Sequence, residues 1–506
     1  MSCRAFALVL FFVFPFIDGC ARKDVRGDAG GTPAAVLLLT ADMRGYLGPC
    51  GCSENMRGGI ARAAYQVSEA RKEAAPVLFI EGGNSLFGKL ALNAQTIPQE
   101  ERKAQALAAA MKLMGVSTKV VGTLDDARGA TFRASLGLPD QPLGSVQMLD
   151  ANGRAVAVVA ASTADQLFEL SAKARTQGAA FVLGVLHQPI AQAQAVTERE
   201  GLAADLIFAT VTQDELAGEE NRLVRGKVPV VQVQSKGRSL ARVDLTFGGR
   251  VGTPFELIRG EADKERELSA FDQRIELLRK QVNEPSLAPQ LMQLRKAKLE
   301  ETIHRRHTLA FSSLPTPKEK NAMAVRFLPL ESSLPSLPEA KALVTAYDQD
   351  VGLINLAWAK EHGADCPPPG PKQAAFIGNE GCQSCHEEAF AAWNASKHAH
   401  AYRTLEEVGK HFHLDCVKCH VTGADQPGGV CRIDKVDGRK DVGCESCHGP
   451  GSLHAEDPDE IDAPLGNRLE NCVGCHDPEN SPHFELVPYR EKILGPGHGK
   501  PLAGKN

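Results

Sequence analysis

Four stretches repeat one pattern: CQSCH at 382–386, CVKCH at 416–420, CESCH at 444–448 and CVGCH at 472–476. Two thiols separated by two residues share one helical turn, and an imidazole follows at once. This is the attachment spacing of c-type haem. Each pair, Cys382/Cys385, Cys416/Cys419, Cys444/Cys447 and Cys472/Cys475, reaches the two vinyl groups of one porphyrin. The next residue, His386, His420, His448 or His476, then ligates the iron from the proximal face. C-x-x-C pairs also build structural zinc sites. A zinc knuckle does not need the adjoining His that all four motifs carry, so the expected cofactors are four c-type haems.

Spare imidazoles supply the other axial face. Of 15 histidines, 11 lie within residues 366–506. The stretches GNEGCQSCHEEAFAAWNASKHAHAYRTL, CVKCHVTGADQPGGV, VGCESCHGPGSLH and GPGHGKP resemble the tetrahaem cytochrome c family that includes the electron acceptor of hydroxylamine oxidoreductase. The resemblance covers roughly 366–506 and implies His398, His454 and His498 as distal ligands. His411 and His413 are further candidates, ahead of His400 and His483. In that family one haem can keep an open face. The segment is rich in Gly and Pro and poor in periodic apolar runs. Short helices and loops wrapped around closely spaced haems are therefore expected, with the macrocycles acting as core.

The elements upstream must carry and position this segment. Residues 1–20 read as a signal peptide: AFALVLFFVFPFI is too short for an ordinary membrane span and suits a signal h-region. Ile17-Asp18-Gly19-Cys20 resembles a bacterial lipobox, apart from the charged Asp18, which makes Cys20 a candidate lipidation site. Export agrees with haem attachment outside the cytoplasm. The expected location is the periplasm or cell envelope, with a lipid anchor as the membrane association. Net charge is -5 and no long basic run occurs, so no nucleic-acid partner is expected.

From Ala34 apolar runs alternate with amphipathic stretches. Buried strands are expected at 36–42, 76–84, 120–126, 155–162, 181–187, 205–210 and 229–235. GGIARAAYQVSEARKEA and QEERKAQALAAAMKLMG read as helices between them, giving an α/β sandwich over 34–258. LLLTADMRGYL, GGIARAAYQV, VLFIEGGNSLFG, VVGTLDD, VLGVLHQP, DLIFATVTQDE and VVQVQSKGRSLARVDL resemble the calcineurin-like metallophosphoesterases, the 5'-nucleotidase branch in particular. That resemblance implies a two-metal site. Its positions are altered here. Asp42 and His187 are retained. Arg44 replaces a ligand His, Asn84 the bridging Asp, Thr123-Leu124 an Asn-His pair, and Val211 another His, with Gln213 beyond it. A neutral amide at Asn84 cannot neutralise two cations, so no second metal centre is expected in this domain. Cys50 and Cys52 sit where the first metal loop would be. They are read as a structural disulfide or buried thiols, as a redox-active pair, or as thiolate ligands.

Residues 260–305 are charged, with Leu268, Phe271, Ile275, Leu278 and Val282 in a 3-4-3-4 repeat, then NEPSLAP, then Leu291, Leu294, Leu299 and Ile303. A helical hairpin follows from this pattern. A connector with one strand (AMAVRFLPL) and one helix occupies 306–365, and the haem segment takes 366–506. Cys366 and Cys431 are left over and can pair with each other. The chain thus reads as a multidomain, exported multihaem electron carrier rather than an enzyme. Its expected partners are redox donor and acceptor proteins or quinone-linked complexes. One alternative is a multihaem reductase acting on a small nitrogen or sulfur species at an open haem. A second is an active metallophosphoesterase fused to a cytochrome.

Overall fold

The computed structural model describes residues 33–49, 56–73, 75–211, 220–282, 289–311, 319–459, 469–477, 480–481, 484–495 and 497–498. Cys20, Cys50, Cys52, Gln213 and His483 lie outside the described residues.

The chain begins with β1 (Ala35–Thr40), α1 (Ile60–Arg71), β2 (Val77–Glu81), α2 (Ile97–Leu113) and β3 (Val116–Val120). A short 3-10 turn and α3 (Gly129–Ser135) lead to β4 (Asp140–Gln141) and β5 (Ser145–Asp150). Then come β6 (Ala155–Ala161), α4 (Ala164–Thr176), β7 (Phe181–Leu186), α5 (Ile190–Thr197) and β8 (Leu206–Ala209). β9 (Arg222–Val224), β10 (Val230–Gln232), β11 (Ser239–Phe247) and β12 (Glu256–Leu257) follow. Two long helices, α6 (Glu261–Val282) and α7 (Pro289–Phe311), precede β13 (Asn321–Pro329) and α8 (Pro338–His362).

The strands form two mixed sheets, in the orders β12-β13-β11-β1-β2-β3-β4 and β5-β6-β7-β8-β10-β9. Period-2 alternation sorts their side chains. Ala35, Leu37 and Leu39 of β1 share a buried core with Val156, Val158 and Ala160 of β6, so this core lies between the sheets. Val36 and Leu38 turn the other way, onto α1, α2 and α8. Ala157, Val159 and Ala161 of β6 pack on α4 and α5. Strands covered on both faces read as continuous apolar runs, and the result is a helix–sheet–sheet–helix sandwich.

The third expected strand is misplaced. It spans Val116–Val120 rather than 120–126, and Thr123–Asp126 form a 3-10 turn. Two buried polar residues, Thr118 and Lys119, break the apolar run that would have marked β3. β11 was not expected as a strand, because it carries Arg242 in its centre. That guanidinium is buried and satisfied: Nη1 donates to Glu73 Oε1 at 2.6 Å and Nε to Asp244 Oδ1 at 2.7 Å. The stretch read as a connector is built into the sandwich. β13 pairs antiparallel with β11 from Ser239↔Pro329 to Phe247↔Asn321, and Ala340, Tyr347 and Val351 of α8 join the outer core.

α6 and α7 belong to a separate compact unit. They run antiparallel, with Arg306 Nε donating to Asp272 Oδ1 at 2.7 Å and Arg295 Nη1 to the Gln281 carbonyl at 3.1 Å. Ile275 and Leu278 of the 3-4-3-4 repeat are buried, whereas Leu291, Leu294 and Ile303 of the second helix are exposed. Among the described residues no helix is long and apolar enough to cross a membrane.

After α8 the chain becomes short helices and loops. A disulfide joins Cys366 to Cys431. A small apolar cluster of Ala359, Tyr402, Leu405, Leu414, Val417, Val421, Val430, Ile433 and Val436 is the main core here.

Candidate functional site

Each C-x-x-C-H motif begins in a single helical turn: Asn379–Gln383, Leu414–Val417, Cys444–His448 and Leu469–Val473. The backbone N–H of His386 donates to the Cys382 carbonyl at 3.0 Å, and that of His476 to the Cys472 carbonyl at 2.8 Å. The imidazole therefore follows one turn after the first cysteine of its motif.

Cys385 differs in exposure from the other seven motif thiols. Cys382, Cys416, Cys419, Cys444, Cys447, Cys472 and Cys475 are half-buried, whereas Cys385 is exposed. The helix Asn379–Gln383 ends two residues earlier, so Cys385 sits on a surface turn, its Sγ 3.9 Å from Ser384 Oγ. Chain packing does not bury this thiol. Its assignment to haem rests on the spacing of its motif and not on its surroundings.

The loops bring distant motifs together. Glu445, inside the third motif and buried, accepts from the backbone N–H of Ile377, Gly378 and Gly451, each at 2.9 Å. Asn379 Oδ1 accepts from Cys444 N–H at 3.0 Å. The first and third motifs are thereby joined, and Asn471 Nδ2 links the fourth to the third through the Cys447 carbonyl at 2.9 Å. Glu445 and Asn379 were not singled out in the sequence. The x positions of a C-x-x-C-H motif carry no pattern that marks them.

Two imidazole pairs result. His386 faces His454 with ring centres 6.3 Å apart and 29° between planes. His398 faces His476 at 6.2 Å and 47°. With imidazole–metal bonds of about 2.0 Å and about 1.1 Å from ring nitrogen to ring centre, two imidazoles on opposite sides of one metal would lie about 6.2 Å apart. Both separations would suit two imidazoles holding one metal between them. Each joins one motif histidine to one spare histidine.

The remaining histidines differ in setting. His420 Nδ1 lies 2.6 Å from the Ala401 carbonyl. A carbonyl only accepts, so Nδ1 carries the proton and Nε2 is left for a metal. The Nδ1 atoms of His411 and His498 are buried with no hydrogen-bond partner among the described residues. Buried polar atoms are normally satisfied, and a bound group would supply the partner. His413 is buried, with Nε2 donating to the Asp348 carbonyl at 3.1 Å and its ring edge-on to Tyr347. Burial pushes its pKa below the ordinary imidazole value, against the pull of Asp348.

The second cluster lies in the α/β sandwich, at the ends of β1, β2, β3 and β7. Asp42, Arg44 and Asn84 all hold positive φ, at 53°, 50° and 60°. Arg44 Nε donates to Asp42 Oδ1 at 2.9 Å, so the guanidinium occupies the carboxylate. Asn84 Oδ1 accepts from Leu124 N–H at 3.0 Å. Val211 follows Thr210, whose hydroxyl lies 3.3 Å from His187 Nδ1. Burial lowers the His187 pKa, opposed by Asp125 and Asp42.

Between these residues sits a charge cluster that sequence reading missed. Lys119 Nζ lies 2.8 Å from Asp125 Oδ2 and 3.7 Å from Glu81 Oε2, with all three side chains fully buried. Asp125 also accepts from the backbone N–H of Asn84, Ser85, Leu86 and Gly122 at 2.8–3.0 Å. Burial pushes the Asp125 pKa up, but Lys119 and these donors outweigh it and hold the carboxylate below its usual range. Burial pushes the Glu81 carboxyl up to about 7, against the pull of Lys119. The available signal was a lysine next to an expected buried strand. Among the described residues no group of three or more His, Cys, Asp or Glu is arranged to hold a metal ion.

Residues 381–449 match the family model described as "Cytochrome c554 and c-prime". The match spans the first three C-x-x-C-H motifs and identifies this stretch as haem-binding cytochrome sequence. No curated protein matches the chain significantly. Among solved structures it is similar to Thermus thermophilus sulfate thiohydrolase SoxB in complex with glycerol, at 16% identity and TM-score 0.40, covering 67% of this chain and 63% of that one. It is also similar to a 5'-nucleotidase precursor from Thermus thermophilus, at 12% identity and TM-score 0.41, covering 81% and 72%. A third is a putative 5'-nucleotidase from Staphylococcus aureus, at 11% and 0.40, covering 74% and 66%. The chain thus spans less than two thirds of the length of the first and third. At these TM-scores the sandwich rests on the chain's own strand order and register.

Proposed function

We propose that the protein is an exported c-type cytochrome that carries electrons through four covalently bound haems, anchored to the membrane through Cys20. The observation that carries the reading is the pairing of His386 with His454 and of His398 with His476 at 6.3 and 6.2 Å. When bound, haem supplies a one-electron couple. The chain's own residues fix where each couple sits. Thiols of the four motifs hold the macrocycles, and Ala401 orients His420 through its Nδ1–H.

The α/β sandwich is read as phosphoesterase-like in layers and not in chemistry. Arg44 neutralises Asp42, Asn84 offers an amide where a shared carboxylate is needed, and Lys119 already supplies a cation to Asp125. A dinuclear site would bring two further cations beside these two.

The test is a haem count by mass spectrometry and pyridine haemochrome, followed by a redox titration with spin-state assignment. Four haems, mainly low-spin, with spectra unmoved by nitrite, hydroxylamine or carbon monoxide, are expected. Fewer than four haems, or turnover of one of these ligands, overturns the carrier reading. Phosphoesterase activity that needs a divalent metal and is lost in Asp42→Ala overturns the reading of the sandwich.

A further inference from the structure

We propose that the α/β sandwich sets the potential of the haem at CVKCH, with Lys103 of α2 as the positioning charge acting through Asp415. The proposal rests on haem attachment at Cys416 and Cys419. The four residues before Cys416 are held by residues of α2 and α8, far away in sequence. Gln99 is fully buried. Its Nε2 donates to Asp415 Oδ2 at 2.9 Å, and its Oε1 accepts from Leu414 N–H at 3.2 Å and from Asn355 Nδ2 at 2.7 Å. Asn355, also buried, donates to the Phe412 carbonyl at 2.9 Å. His413 donates to the Asp348 carbonyl. Residues 412–415 are thus each fixed by a partner from the sandwich or α8.

Lys103 completes the set. Its ammonium lies 3.0 Å from Asp415 Oδ2 and 2.7 Å from Glu100 Oε1, and its side chain is 13% exposed. Burial pulls its pKa down, but Asp415, Tyr347 and Glu100 more than offset this, so the charge is kept. Asp415 adjoins the first haem-bonding thiol of its motif. The pair, with Glu100 on the far side of Lys103, would put fixed charges near the haem of this motif, whereas no ion pair adjoins the first cysteine of the other three motifs among the described residues. A cation near a haem favours the reduced iron, and an anion favours the oxidised iron.

The test uses the full-length holoprotein and a spectroelectrochemical titration that resolves the one-electron steps. Lys103→Met leaves Asp415 less compensated and is expected to lower the midpoint of one haem. Asp415→Asn is expected to raise the midpoint of the same haem. Each effect should reach up to about tenfold in the one-electron equilibrium, which is about 59 mV. Lys103→Arg should restore the native value. Unchanged midpoints, shifts of the same sign in both variants, or equal movement of every haem would overturn the proposal. Should Lys103→Met fail to fold, Asp415→Asn decides alone, because the Asp415 side chain is 59% exposed. Unmodified Cys416 and Cys419 in the native protein, seen by peptide mass, would instead show that the underlying haem assignment fails.

Discussion

Lys119 Nζ and Asp125 Oδ2 lie 2.8 Å apart with both side chains wholly out of water. Breaking a buried pair by removing one partner leaves an uncompensated charge, at a cost of about 3–5 kcal/mol. Lys119→Met is therefore expected to lower the stability of the sandwich by that order. A urea titration followed by circular dichroism checks it. A change below about 1 kcal/mol would mean that the four backbone donors alone satisfy Asp125.

The third member of this cluster gives a pH dependence. Glu81 titrates at about 7 in the folded chain because burial disfavours its charge. In the unfolded chain its pKa is lower, so between the ordinary carboxylate range and about 7 the native state binds the extra proton. Stability from this group is fully present below the unfolded pKa and is lost as pH rises toward 7. Each pH unit in that window costs up to about 1.4 kcal/mol. Glu81→Gln should flatten the profile between pH 5 and 8. An identical slope in both proteins would assign it to other groups.

Much of the sandwich was legible because β1, β2, β6, β7 and β8 are covered on both faces and read as unbroken apolar runs. β3 and β11 were not, since each buries a cation whose partner comes from another element: Asp125 for Lys119 and Glu73 for Arg242. Periodicity cannot see a charge that is neutralised at a distance. The haem motifs were legible because thioether chemistry fixes their spacing. That spacing says nothing of exposure, which is why Cys385 on its surface turn could not be told from its half-buried counterparts. The contacts that gather the motifs were hidden too, because Glu445, Asn379, Gln99 and Asn355 act through backbone groups tens to hundreds of residues away.

The Cys366–Cys431 disulfide closes a loop of 65 residues that contains the first two haem motifs. Cross-links over loops of this length typically contribute about 2–5 kcal/mol by restricting the unfolded chain. Replacing both cysteines by Ser should lower the melting temperature of the haem segment while leaving the haem count at its native value. Loss of haem in the double variant would show instead that the bond is needed before attachment.

The histidine pairs make opposite forecasts for residues that look alike in sequence. His454 faces His386 at the spacing of a shared metal, whereas His413 spends its Nε2 on the Asp348 carbonyl. His454→Ala should convert one haem from low-spin to high-spin, with a new carbon monoxide-binding band in the reduced protein. His476 cannot be tested in the same way, because its loss removes a motif residue; His398→Ala is the matching change, and it should open a second haem. His413→Ala should leave every spin state as it was, and cost about 1–3 kcal/mol of stability through the lost hydrogen bond and packing. Electron paramagnetic resonance of the oxidised protein separates these outcomes. A high-spin signal appearing in His413→Ala, or none in His454→Ala, would mean that the axial pairs are assembled differently once haem is attached.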